Sequence, residues 1–230
     1  MLKEPKPQTY SQGLFISIEG IDGSGKSTLI NELKQTHSFL GRPLVIVDKN
    51  VAIGSDYIEQ HTNGLRNLLW LEKNQQNRNT ISDLHWLCLA ASWFILLEQH
   101  IIAPNLLEGK SVVVDSWYAK LLARFLLKDK NVAEYSKSIF CMLEKPTLTI
   151  LLDVDPILAA TRKKSFGYSE CGNFDGLEGN TKENFIEYQS KVRRSYKELA
   201  IEENWITVAY PDISINTLVR EASSRLGALI

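Results

Sequence analysis

The sequence predicts an α/β fold, a parallel sheet with helices packed on both faces, and three observations carry that expectation. A glycine-rich turn at residues 20–27 lies between a short apolar run and a stretch with helical spacing. Short apolar runs alternate with amphipathic stretches through the rest of the chain, the pattern of repeated strand–helix–strand units. No internal repeat or linker divides residues 13–230, which read as one domain behind a polar, flexible segment over residues 1–12.

Residues 14–19 are mostly apolar, as a strand buried on both faces should be. The apolar positions at 29, 30 and 33 continue as a helix. Gly41-Arg42-Pro43 stops the chain before a second strand over 44–47, which ends at Asp48-Lys49-Asn50. A loop with Gly54 leads to a helix over 56–71, a polar connection over 74–79, and a long helix over 81–103. That helix carries Trp86 and Trp93, and Pro104 is expected to end or kink it. The third strand is 111–115, followed by helices over 117–128 and 132–143. Pro146 introduces the fourth strand, 148–154, and Asp155-Pro156 opens a helix as N-cap and first-turn proline. Residues 163–180 hold four glycines and no apolar period, the mark of a mobile loop and a candidate lid. A helix over 181–203, a strand over 205–210, a Pro211-Asp212 turn and a helix over 214–226 capped by Ser214 complete the chain.

In such sheets ligands bind beyond the carboxyl ends of the strands. That rule gathers Glu19, Asp48, Asp115 and Asp153 on one rim, beside Gly20-Ile21-Asp22-Gly23-Ser24-Gly25-Lys26-Ser27. This octapeptide fits G-x-x-x-x-G-K-[ST], a loop whose backbone N–H groups converge on phosphate oxygens at a helix N-terminus. Gly20, Asp22, Gly23, Ser24, Gly25, Lys26, Ser27 and Thr28 are therefore the expected nucleotide-binding residues. Lys26 would reach the terminal phosphates of ATP, and the Ser27 hydroxyl would take one Mg²⁺ position.

A net charge of −1 supplies no basic field for nucleic acid or an anionic membrane, so an anion must be gripped locally. Cys88, Cys141 and Cys171 are odd in number and lack metal-ligand spacing, which suits reduced thiols in a cytoplasmic setting; Cys88, on an apolar helix, reads as core filling. The apolar stretch 84–102 is broken by His85, Ser92, Glu98, Gln99 and His100 and reads as a buried helix rather than a membrane span.

From Phe15 to about Leu226 the chain resembles the thymidylate kinases. Residues 15–27 match the family's first strand and phosphate loop nearly throughout, and Leu65-Arg66-Asn67-Leu68-Leu69 is similar to its "IRxLL" helix. Ile102-Ala103-Pro104-Asn105-Leu106 to Asp115, Leu148 to Arg162, and Glu183 to Ala200 resemble its later passages, in order and spacing. The resemblance implies a three-layer α/β/α P-loop kinase fold with a five-stranded parallel sheet, an ATP and Mg²⁺ requirement, and a homodimer. It also implies that Arg162, with Lys163 and Lys164 beside it, closes over the transferred group from the lid, since Gly23 stands where some members place an arginine in the loop. Asp115 is then a water-mediated Mg²⁺ ligand. A solvated helix end is the alternative for residues 162–164, and a turn-forming carboxylate the alternative for Asp115.

The acceptor side departs from the family pattern. Asp115-Ser116-Trp117 replaces Asp-Arg-Tyr, Ala91-Ser92-Trp93 replaces Ala-Asp-Arg, and residues 48–53 replace Arg-Glu-Pro-Gly-Gly-Thr. Charge-assisted hydrogen bonds contribute about 1.5–3 kcal/mol each, so losing two weakens phosphate binding by roughly 10²–10⁴-fold. Arg66, Lys49 or Lys120 could compensate. The leading acceptor is a nucleoside monophosphate resembling thymidylate. The alternative is a hydroxyl acceptor, with Asp48 as base and Glu19 second to it, and Trp93 and Trp117 stacking on the ligand or serving as core. A third reading is an ATP-binding module without transfer.

Overall fold

Strand β1 (Leu14–Glu19) lies inside a sheet whose neighbours are drawn from far along the chain. The computed structural model describes residues 13–51, 53, 55–71, 75–210 and 213–227. The expected flexible segment 1–12, Gly54, the start of the polar connection at Asn74, and the Pro211-Asp212 turn lie outside them.

Besides β1, the sheet contains β2 (Ser38–Phe39), β3 (Arg42–Val47), β4 (Ser111–Asp115), β5 (Leu148–Asp153) and β6 (Ile206–Ala209), in the order β2-β3-β4-β1-β5-β6. The last five pair in parallel, with Ile16 opposite both Val113 and Leu148, as the five-stranded expectation requires. The two-residue β2 is a sixth strand, antiparallel to β3, and too short to leave a periodic signal.

Alternation explains why the strands are apolar on both faces. Phe15, Val112, Val114 and Leu151 point to one core, and Ile16, Ile18, Val113, Ile150 and Leu152 to the other. The second core is closed by Leu29 and Leu33 of α1 (Lys26–Leu33) and by Leu218 and Ala222 of α9 (Ile215–Gly227). The first, larger core is covered by α2 (Asp56–Arg66), α3 (Asp83–Leu97), α4 (Ala103–Leu107), α5 (Ala119–Phe125), α6 (Lys130–Phe140), α7 (Pro156–Thr161) and α8 (Lys182–Glu202). Asp155 and Ser214 cap as expected, accepting from the N–H groups of Ile157 at 2.9 Å and Thr217 at 3.2 Å.

Pro104 does not end the long helix. A π-helical turn, Glu98–Ile102, inserts before it, and the chain runs on into α4 with the proline in its first turn. The π-turn changes the backbone pairing just before the proline, whose ring and missing N–H disrupt regular i→i−4 bonding. The helix expected over 56–71 likewise changes at Asn67 into a π-helical turn, Asn67–Leu71. The run Asp83–Leu107 is long and apolar enough to cross a membrane, but 56% of its most apolar window is buried within the fold.

Cys88 is exposed rather than core. It shares the outer stripe of the long helix with Leu84 (44% exposed) and Ile95 (38%), while Leu87, Ala91 and Phe94 face inward. A helix apolar on all sides gives no phase from which sequence could choose the buried face.

Candidate active site

The phosphate loop owes its shape to residues that tolerate left-handed backbone. Gly23 has φ of +80° and a Cβ there would meet the Ala159 carbonyl at 2.9 Å, so no side chain, and no arginine, fits at that position. Gly25 caps α1 at φ 99°, and the helix begins at Lys26 with first-turn amides that no helical carbonyl can satisfy. They open into a cleft of about 770 Å³ lined by residues 22–28, by Asp48 and Lys49 after β3, by Asp115 to Trp117 after β4, and by Arg162 and Lys163 beyond α7.

Lys26 curls back over its own loop, donating to the carbonyls of Gly20 at 2.6 Å and Ile21 at 2.9 Å. Burial, together with the charge of Lys120, lowers its ammonium pKa to about 8, against the opposing pull of Asp22, Asp115 and Glu19. Ser27 and Asp115 both line the cleft, and the Asp115 carboxylate makes no hydrogen bond or ion pair among the described residues. A free carboxylate and a loop hydroxyl lining one cleft fit Mg²⁺, which keeps most of its waters and needs few protein oxygens. No cluster of three or more His, Cys, Asp or Glu that would suit another metal occurs among the described residues.

Two expected donor residues are placed differently, Asp22 lining the cleft but paired across it. Gly20 does not line the cleft. The Asp22 N–H donates to Gln189 Oε1 at 3.1 Å, and its carboxylate crosses to the opposite wall, meeting Lys120 Nζ at 2.8 Å and a terminal Arg124 nitrogen at 2.6 Å. Burial works to raise the Asp22 pKa, but Lys120, Arg124 and Lys26 hold it far below the usual carboxylate range.

The acceptor list changes more. Glu19 is fully buried and accepts from Ser17 Oγ at 2.6 Å, the Trp117 N–H at 2.7 Å and Tyr196 Oη at 3.1 Å. Burial pushes its carboxyl up to about 7 despite those bonds, yet it touches no part of the cleft and cannot contact an acceptor. Period-2 alternation puts it on the same inner face as Phe15 and Ser17. Asp48 does line the cleft, but its carboxylate pairs with Lys34 at 2.8 Å and caps the Asn50 N–H at 2.7 Å. Burial is outweighed there by Lys34 and Asn50, and the lowered pKa makes Asp48 a weak base.

Arg66 folds onto the Val51 carbonyl (3.1 Å) and Asn63 (2.9 Å), its guanidinium 5.7 Å from the Trp93 ring, and it does not line the cleft. Trp117 is 1% exposed, packs edge-on to Phe15 and Phe94, and donates its indole N–H to the Glu144 carbonyl at 3.1 Å. It forms core under the cleft floor. Trp93, 2% exposed, lines the wall against Trp70, and Lys49 lies at the cleft edge.

Sequence reasoning missed Arg124 and the slot beside it. A cavity of about 120 Å³ opens off the cleft between Trp70, Trp86, Phe125 and Tyr188, sharing Trp70, Leu121, Arg124 and Ser169 with the cleft itself. The four-residue spacing of Lys120 and Arg124 on α5 was the available signal.

The segment 163–180 packs over this junction. Asn173 donates to the Tyr168 carbonyl (2.9 Å) and accepts from the Gly179 N–H (2.8 Å), and Lys163 pairs with Glu170 at 3.0 Å. Gly172, at φ +71°, leaves no room for a Cβ, which would sit 2.6 Å from the Tyr188 ring. Arg162 lies with its guanidinium 4.6 Å from the Tyr210 ring, while Asp153 is held by Arg193 and Lys197 of α8, outside the cleft lining.

Amides free at a helix start, a buried lysine and an unpartnered carboxylate, all at the carboxyl end of a parallel sheet, define a P-loop phosphotransferase. The family model described as Thymidylate kinase matches residues 18–221, and the chain belongs to that family of ATP-dependent kinases. It is 28% identical over 203 residues to the thymidylate kinase of Protochlamydia amoebophila, covering 86% of this chain and 84% of that one. It is 29% identical over 189 residues to that of Legionella pneumophila, covering 80% of each. Its fold matches the thymidylate kinase structures from Ehrlichia chaffeensis (TM-score 0.58, 18% identity, 94% and 98% covered) and Candida albicans (TM-score 0.59, 19% identity, 94% and 92% covered).

Proposed function

We propose that this protein transfers the γ-phosphoryl group of ATP to a nucleoside monophosphate of thymidylate type. The continuity of the phosphate-loop cleft with the aromatic slot carries the reading, since it lets a flat ring sit among Trp70, Trp86 and Tyr188 while its phosphate faces the donor. Lys26 leaves the carbonyls of Gly20 and Ile21 for the triphosphate, whose oxygens also meet the amides opening α1. Ser27 and Asp115 would hold Mg²⁺, which would neutralise charge on the phosphates. Arg162 would swing from Tyr210 over the transferred group as residues 163–180 close, and Gly23 leaves the lid as the source of that arginine.

A phosphate acceptor is already anionic and needs no base, which agrees with an Asp48 held by Lys34 and Asn50. The outer stripe of Leu84, Cys88 and Ile95 is the surface through which a homodimer would form. Light scattering on the protein and on Leu84→Glu, with a monomer expected for the variant, tests it. The near-neutral chain presents no field for nucleic acid or a membrane, and its unpaired thiols fit a reducing cytoplasm.

The experiment is an acceptor panel with ATP and Mg²⁺, following ADP release. Thymidine monophosphate should give the highest kcat/KM. Preference for thymidine or another hydroxyl compound would overturn the reading, and no stimulation by any acceptor would favour a binding module.

A further inference from the structure

The cations missing from the family's usual positions have counterparts on the helix after β4. Lys120 and Arg124 stand four residues apart on α5 and so share one helix face. That face lines the cleft, and Arg124 lies where the cleft opens into the aromatic slot. Asp22 reaches both cations from the phosphate loop, at 2.8 Å and 2.6 Å, with Gln189 of α8 a further donor at 3.4 Å. Arg124 is held with its guanidinium 5.9 Å from the Tyr188 ring, and its Nε is buried without a partner. Lys120 is the more accessible of the two, 31% exposed against 17%.

We propose that Lys120 and Arg124 form the binding site for the acceptor's phosphate, and that Asp22 is their built-in counter-anion, holding the pair until the phosphate takes Lys120 from it. The inference rests on the nucleoside monophosphate reading above. Two cations on one helix face repel, and a single carboxylate between them removes most of that repulsion while leaving one positive charge uncompensated. A phosphate dianion in the cleft meets that charge through the exposed parts of Lys120 and Arg124. An acceptor with a hydroxyl in place of the phosphate gains nothing from either. The site therefore selects a phosphorylated acceptor over its parent nucleoside, with cations supplied by different residues from those replaced by Asp48, Trp93 and Ser116.

Asp22 and Lys120 then act with opposite signs on acceptor affinity, which a purely structural ion pair would not produce. Calorimetric titration of the full-length protein with thymidine monophosphate and with thymidine reads this directly. Lys120→Gln should weaken monophosphate binding about 10- to 100-fold and leave thymidine within twofold, with Lys120→Arg restoring much of the loss. Arg124→Lys, which keeps the charge and loses the fork, should weaken the monophosphate by a smaller factor. Asp22→Asn should tighten it severalfold. Melting curves accompany each variant, so that unfolding is not read as lost binding. Loss of monophosphate affinity in both Asp22→Asn and Lys120→Gln, or a wild-type preference that survives Lys120→Gln and Arg124→Lys, overturns the site alone. A wild-type protein that binds thymidine as tightly as its monophosphate overturns the nucleotide reading and the site with it.

Discussion

The donor wall of the cleft is built from consecutive residues, whereas the acceptor wall is assembled from β3, α3, α5 and the segment before α8. On the donor side the groups proposed to grip are backbone amides, fixed by glycine conformations at 23 and 25 and by the start of α1. On the acceptor side they are side chains whose partners lie far along the chain, such as Asp22 with Lys120 and Arg124. A wall of local backbone changes slowly with sequence, because few residues can adopt its geometry. A wall of side chains can move its charges from one helix turn to another and keep its function.

The largest expected effect breaks the comparison from the lid. Arg162→Ala should lower kcat by about 10³-fold, because charge developing on the transferred group loses its arginine. Acceptor KM should stay within threefold in the same steady-state assay. A fall below tenfold would move the decisive cation to the acceptor wall. Next, Trp117→Ala should destabilise the fold by about 3–5 kcal/mol in denaturant titration, as deletion of a buried aromatic does. Trp117→Phe should retain most of that stability with acceptor KM little changed, whereas a ligand-stacking tryptophan would show the reverse.

The donor wall also predicts a pH dependence. Burial lowers the Lys26 pKa to about 8 in the empty protein, so above that pH the lysine is neutral and a triphosphate must bind together with a proton. ATP affinity should be flat below pH 8 and fall by up to tenfold per unit above it, measured by calorimetry at pH 7, 8 and 9. Lys26→Met should abolish the slope. The smallest effect belongs to Asp48→Asn, because its exposed partner Lys34 makes the pair worth about 1 kcal/mol or less. Turnover should remain within threefold of wild type, and a loss above 100-fold would restore Asp48 as a base.

These differences follow how the evidence lay in the chain. The phosphate loop, the five parallel strands and the caps at Asp155 and Ser214 were legible because each depends on neighbours a few residues away. Glu19 looked like a rim carboxylate, since it ends β1, but only the fold shows Ser17, Trp117 and Tyr196 closing around it. Cys88 looked internal because its helix is apolar on every side, and only packing decides which side is covered. Arg66 looked available until Val51 and Asn63 proved to hold it.

By itself the sequence determined that this protein grips a triphosphate at the end of a parallel sheet, because glycine conformation and strand periodicity are local properties. The tertiary structure decided which charges face the acceptor. Burial and pairing depend on groups remote in the chain, and Asp22 meets Arg124, 102 residues away, and Gln189, 167 away, only once α5 and α8 have packed against the loop.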